Sequence, residues 1–202
     1  MRKLKKAATA VLDRLQRMVG GQQAVPPADR LIDEFFRCGS QYYVSGRYAV
    51  HAALMPVGGN LHHHAIEMLL KGVLARSMTS QKLKDYLGHR LRRAWKEFKK
   101  QANDPSLSKF DRVIRELDKF ESIRYPDEVL KKGAVMAFDV TKVGTSQRNL
   151  SAGSLPQYTL CLEEIDELVA TIFRVGGRNP KAFLRFMKPE ANQFLTQDNL
   201  YV

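Results

Sequence analysis

The 202-residue sequence predicts an all-α fold: an antiparallel helical bundle of about five main helices, with a short N-terminal helix before it and an irregular loop ahead of the last long helix. Three observations predict it. Apolar residues recur at three- and four-residue steps through most of the chain, the spacing that lines up one helix face. Gly and Pro close each of these stretches. Only one short segment, residues 134–140, reads as extended.

Taken in order, Leu4, Ala8, Val11, Leu12, Leu15 and Met18 mark a basic leading helix that stops at Gly20 and Gly21, and residues 22–27 read as a linker. Residues 29–54 form the first long helix, with Leu31, Ile32, Phe35, Phe36, Tyr42, Tyr43, Ala49 and Ala53 in its apolar positions. Gly39 and Gly46 lower its propensity and mark close approach to a neighbouring helix. Pro56, Gly58 and Gly59 break it, and Asn60 is placed to cap a second helix running to about residue 78. A third helix opens near Gly88 and buries Leu87, Leu91, Ala94, Trp95 and Phe98. Asp104 and Pro105 interrupt, and Ser106 or Ser108 caps a fourth helix with Phe110, Val113, Ile114, Leu117 and Phe120 inward. Residues 131–158 lose helical periodicity, and residues 144–156 read as a mobile loop. Residues 159–175 make the last strong helix, ended by Gly176 and Gly177. Asn179 and Pro180 then suit the cap and first turn of a short helix, and the tail after Pro189 drapes on the surface. The chain thus divides into residues 1–28, a basic helix and linker; residues 29–175, the bundle; and residues 176–202, an extension packed on it.

The charge is lopsided. Residues 1–100 carry 19 basic and 7 acidic side chains, residues 101–202 carry 14 of each, and the whole chain is at +12. An excess confined to one half points to a positive surface that meets a polyanion. The two cysteines, Cys38 and Cys161, suit small buried hydrophobes in a reducing compartment, and a cytoplasmic protein is expected. No apolar run reaches the length of a membrane span. Zinc-type cysteine spacing, a GxxxxGK[ST] phosphate loop, GxSxG and HExxH are all missing, which removes the corresponding enzyme classes.

Chemistry concentrates in residues 60–93. Glu67 and Lys71, four apart, share a helix face and can pair. His62, His63 and His64 cannot face one way, because successive helical positions turn by about 100°. His63 stands four before Glu67 and joins it, whereas His64 is expected to point elsewhere. With no third ligand evident on another element, neither a metal nor a cofactor is expected. His89 opens the third helix, where free N–H groups favour an anion. Arg90, Arg92, Arg93, Lys96, Lys99 and Lys100 populate the polar side of that helix, and Trp95 its core side. Further on, Arg124 offers a fork for phosphate and Tyr125 a face for a base.

The segments Ala65-Ile66-Glu67-Met68-Leu69-Leu70-Lys71-Gly72-Val73-Leu74, Gly88-His89-Arg90-Leu91 and Arg124-Tyr125-Pro126-Asp127 together resemble the HEPN family, the higher eukaryote and prokaryote nucleotide-binding helical domains. Their order is similar to the branch found in the sacsin C-terminal domain and beside small nucleotidyltransferases, over about residues 29–175. The resemblance implies a nucleotide or RNA ligand held in a basic cleft by His63, Glu67, Lys71, His89, Arg90, Arg93, Arg124 and Tyr125. It also implies a homodimer, and a nucleotidyltransferase as a possible partner protein. Ribonucleases of this family use Arg, four to six residues, then His, and no histidine here has Arg at that spacing. The expectation is therefore a non-catalytic binding module. Two alternatives remain: a metal-independent ribonuclease of a toxin or defence system working through the shifted pair Arg47 and His51, or a protein-interaction partner such as an antitoxin or scaffold.

Overall fold

The computed structural model describes residues 27–142, 154–184 and 187–201. The expected leading helix, nearly all of its linker, and residues 144–153 of the expected loop lie outside these. The described chain is largely helical. Helix α1 (Pro27–His51) and helix α2 (Val57–Leu74) form a long hairpin at its centre. Helices α3 (Leu91–Ala102), α4 (Asp111–Lys119) and α6 (Leu162–Val175) all touch α2. Ile66, Leu69, Leu70, Val73 and Leu74 of α2 are fully or almost fully buried among Phe36, Phe98, Leu117, Leu168 and Ile172. Helix α2 is thus the hub of the core, and its polar residues are carried inside with its apolar ones.

The glycines expected to mark close approach do so. A Cβ on Gly39 would lie 2.7 Å from Leu69 Cγ, and one on Gly46 would lie 3.0 Å from the His62 ring. Side chains there would push α1 and α2 apart.

Several boundaries differ from the sequence reading. Helix α2 starts at Val57, a turn before Asn60, which therefore sits inside the helix rather than capping it, and α2 ends at Leu74. Thr79 Oγ1 then caps a single turn, Ser80–Lys82, by accepting from the Lys82 N–H at 3.2 Å. That turn widens into a π turn over Leu83–Leu87, so Leu87 belongs to the approach and not to α3. Helix α3 begins only at Leu91, with Arg90 as its non-helical cap residue. The cap expected of Ser106 or Ser108 falls to Asp104, whose Oδ1 accepts from the Ser106 N–H at 2.9 Å and starts a 3-10 turn over Pro105–Phe110.

After α4 a second 3-10 turn, Phe120–Ile123, leads to an unforeseen helix α5 (Pro126–Lys132). Pro126 supplies its first-turn φ and lacks only an N–H that the helix start leaves unused. The extended segment is present as β1 (Val135–Asp139), paired in parallel with β2 (Gln157–Cys161) in the register Val135 to Gln157 and Asp139 to Cys161. Residues 159–161, expected as the start of the last helix, are the end of β2. Thr159 and Cys161 fit a strand as well as a helix turn, and a partner strand decides such cases.

Beyond α6, the Asn179 side chain accepts from the Lys181 N–H at 3.0 Å and caps α7 (Pro180–Leu184) as anticipated. The tail does not simply drape. It forms α8 (Pro189–Thr196), buries Leu195 and engages α1. Cys38 and Cys161 are both free, and Cys161 is buried. Among the described residues, no helix is long and apolar enough to cross a membrane.

Candidate functional site

Two buried polar clusters lie on opposite sides of α2. The first belongs to α1. Arg47 is completely buried and donates from Nε to the Phe194 carbonyl at 2.7 Å, from one terminal nitrogen to Asp166 and from the other to the Gln197 carbonyl. Tyr43 donates to the other Asp166 oxygen at 2.6 Å, and Asn199 donates to Tyr43 at 2.9 Å. Burial pushes the Asp166 carboxyl up, against the downward pull of Arg47 and Tyr43. Arg47 therefore locks the tail and α6 onto α1, and its guanidinium is turned away from solvent. His51, its proposed partner in RNA cleavage, keeps Nε2 buried without a hydrogen-bond partner. His62 faces the same side, fully buried beside Gly46 and Tyr43 with both ring nitrogens unpaired. Burial, with Arg47 nearby, lowers its pKa to about 3, so the ring is neutral.

The second cluster surrounds Glu67. This carboxylate is buried and accepts from Lys71 Nζ at 2.6 Å, one helical turn on. His64 Nδ1 lies 3.4 Å from Glu67 Oε2, and His89 Nδ1 lies 3.2 Å from the same carboxylate. Burial alone would raise the Glu67 pKa; hydrogen bonds from His64, Lys71 and His89, with the Lys71 charge, hold it instead at about 2. His63 Nδ1 lies 3.0 Å from the Leu117 carbonyl, while its Nε2 lies 3.9 Å from Glu67 Oε2 and 3.7 Å from Glu121 Oε2. Glu121 in turn stands 3.7 Å from Arg124. Helix α2, the approach to α3 and the turn after α4 thus bring one cluster together.

The anticipated residues divide accordingly. His63, Glu67, Lys71 and His89 converge, and Arg124 joins them through Glu121. Tyr125 is 66% exposed beside Arg124, whose guanidinium carbon lies 6.0 Å from the ring centre. Arg90 is exposed at the start of α3. Arg93 turns aside: it donates to the Tyr86 carbonyl at 2.8 Å and covers the Tyr86 ring at 4.7 Å. His64, set aside on helical rotation, in fact reaches Glu67. Positions three and four before a residue both lie on its face, so His64 and His63 flank the carboxylate from two sides. Glu121 was missed; its signal was its place three residues before Arg124.

Along α3, Trp95 is core and donates to Asp111 at 2.6 Å, with Lys99 on the same carboxylate at 2.7 Å. Arg92, Lys96, Lys99, Asp111 and Arg115 edge a depression of about 190 Å³ beside them. No family model, no curated protein and no solved structure matches the chain.

Proposed function

We propose that the protein is a HEPN-like module that binds the phosphate of a nucleotide or RNA without cleaving it. The observation that carries this reading is the convergence of Lys71 and His89 on the buried Glu67 carboxylate, with Arg90 and Arg124 exposed nearby. Glu67 holds Lys71 in a fixed direction, so its free N–H groups are already oriented when an anion arrives. Lys71 uses one of its three N–H donors on Glu67, leaving others for phosphate. Tyr125 supplies a stacking face for a base. A separate depression along α3, edged by Arg92, Lys96, Lys99 and Arg115, adds further positive charge and favours a chain of phosphates over a single one. The module works as a homodimer in the cytoplasm, with a nucleotidyltransferase as its candidate partner protein.

Calorimetric titration of the full chain with a panel of nucleotides and short single-stranded RNAs, at low salt and with chelator present, tests the proposal. Binding weakened about tenfold by Arg124→Ala and by Arg90→Ala is expected, since each removes one phosphate contact from an exposed position. An absence of heat with every ligand at low salt refutes it.

A further inference from the structure

The geometry points to a divalent transition-metal site, of the zinc class, formed by His63, His64 and Glu67 of α2 with Glu121 and His89 from neighbouring elements. It shares Glu67 and His89 with the phosphate reading but requires no phosphate ligand, and it rests on the unpaired His63 and Glu121 atoms, which that reading does not use.

His63 is held in one tautomer. The Leu117 carbonyl can only accept, so His63 Nδ1, 3.0 Å away, carries the proton. In the neutral ring the lone pair is then on Nε2. That lone pair is aimed at Glu67 Oε2 and Glu121 Oε2, 3.9 and 3.7 Å away, and both are acceptors. His63 is about 1% exposed, and neither its Nε2 nor Glu121 Oε2 has a hydrogen-bond partner. His63 Nε2 and Glu121 Oε2 therefore face one another inside the protein with no donor between them, at the edge of the Glu67 carboxylate. Such an arrangement is unfavourable by itself and is reversed in sign by a cation placed among them.

The distances suit a metal ion. Two donors each about 2.0–2.2 Å from zinc stand roughly 3–3.6 Å apart. Here His64 Nδ1 and His89 Nδ1 are 3.4 and 3.2 Å from the Glu67 carboxylate, and the His63 separations exceed this range only slightly; without an ion these two nitrogens donate to Glu67, and to ligate they take the tautomer with the proton on Nε2. The ligand atoms of His63, His64 and Glu67 all lie within 4.8 Å of one another. Outer contacts are also in place. The Leu117 carbonyl fixes the His63 ring, and Lys71 occupies Glu67 Oε1, leaving Oε2 to face the imidazoles. Imidazoles with carboxylates select zinc, iron or manganese over calcium or magnesium, whose shells are all oxygen. His89 is 61% exposed, so a bound ion has a route to solvent and to an external ligand.

The test strips the full chain with chelator and titrates it with Zn²⁺ by calorimetry and with Co²⁺ by visible ligand-field absorption. One equivalent is expected to bind, with cobalt bands characteristic of nitrogen and oxygen ligands. Glu121→Gln and His89→Ala, both at partly exposed positions, are each expected to weaken uptake about tenfold or more. His63→Ala is expected to abolish it; should that variant misfold by circular dichroism, the other two decide. Failure of the wild-type chain to take up either ion saturably overturns the proposal, as does uptake unchanged in both Glu121→Gln and His89→Ala. Phosphate binding measured in chelator bears on the previous proposal alone, so the two can fail separately.

Discussion

Replacing Arg47 with Leu is the sharpest test of how the chain closes on itself. The guanidinium neutralises Asp166, both side chains being without access to water, and donates to the carbonyls of Phe194 and Gln197 in the part-buried tail. Removing one partner of a buried, hydrogen-bonded ion pair costs about 3–5 kcal/mol, because the other charge stays desolvated. Two carbonyls also lose their donor, at about 1–3 kcal/mol each if they remain buried. They need not remain so, since lifting the tail returns them to water. The expected loss on Arg47→Leu is therefore roughly 3–5 kcal/mol, a large part of the 5–15 kcal/mol typical of a domain. Release of the tail should accompany it. Asp166→Leu should lose a similar amount, but the double variant should lose clearly less than the sum, because no charge is then left alone. Urea unfolding of the four proteins gives these values, and trypsin cleavage at exposed Lys188 reports the tail. A cost below about 1 kcal/mol for Arg47→Leu, or strict additivity in the double variant, would refute the reasoning.

Three other outcomes follow from particular contacts. His62 has a folded pKa of about 3 against an ordinary 6.5, so between those values the unfolded chain binds the proton and the folded one does not. Its contribution is complete above pH 6.5 and is lost as pH falls towards 3, on the order of 5 kcal/mol in all. His62→Leu should flatten the pH dependence of unfolding in that window; an unaltered slope contradicts a buried neutral ring. A Cβ on Gly59 would lie 2.1 Å from the Phe120 ring, which is itself enclosed by Phe138 and Tyr158. Gly59→Ala should thus destabilise by about 1–3 kcal/mol in urea melts, and a neutral result would mean that the ring swings freely. RNA affinity should fall linearly with log salt at a slope near 0.7 per phosphate contacted, shallower by about that much in Lys96→Ala. A salt-independent affinity would take the α3 face out of the interface.

The legible parts of the sequence were those governed by local spacing. Glu67 and Lys71 were paired by their separation of four alone, and Trp95 was assigned to the core by its place on the α3 stripe; both are so. Gly39 and Gly46 announced the α1–α2 contact because nothing but a close neighbour rewards glycine in mid-helix. What was hidden depends on partners far away in the chain. Arg47 and His51 share a helix face, which suggested joint chemistry. The structure gives Arg47 to Asp166, 119 residues on, and to tail carbonyls still further. Glu121 meets His63 across 58 positions and from a 3-10 turn, so no helical repeat ties it to that ring. Strand β2 escaped because Tyr158, Leu160 and Cys161 carry spacing compatible with either state, and only β1 alongside settles it.

The three consecutive histidines explain how one helix turn serves two ends. Rotation of about 100° per residue sends His62 towards α1 and Arg47, His63 towards α4, and His64 to the rim beside His89. On the α1 side, a cation is matched to a carboxylate and the ring beside it is neutral, an arrangement that fixes the fold and exposes nothing. On the other side, two carboxylates, a lysine and three imidazoles meet at a border with solvent. A well-packed apolar set would stabilise α2 there at least as well as a buried Glu67–Lys71 pair does. Unpaired buried nitrogens are a cost on both sides, at His62 and at His63, but only the Glu67 cluster brings such atoms to a border with solvent, at Glu121 and His89. Polar groups retained at a net cost, convergent and reachable from outside, are what a ligand site requires.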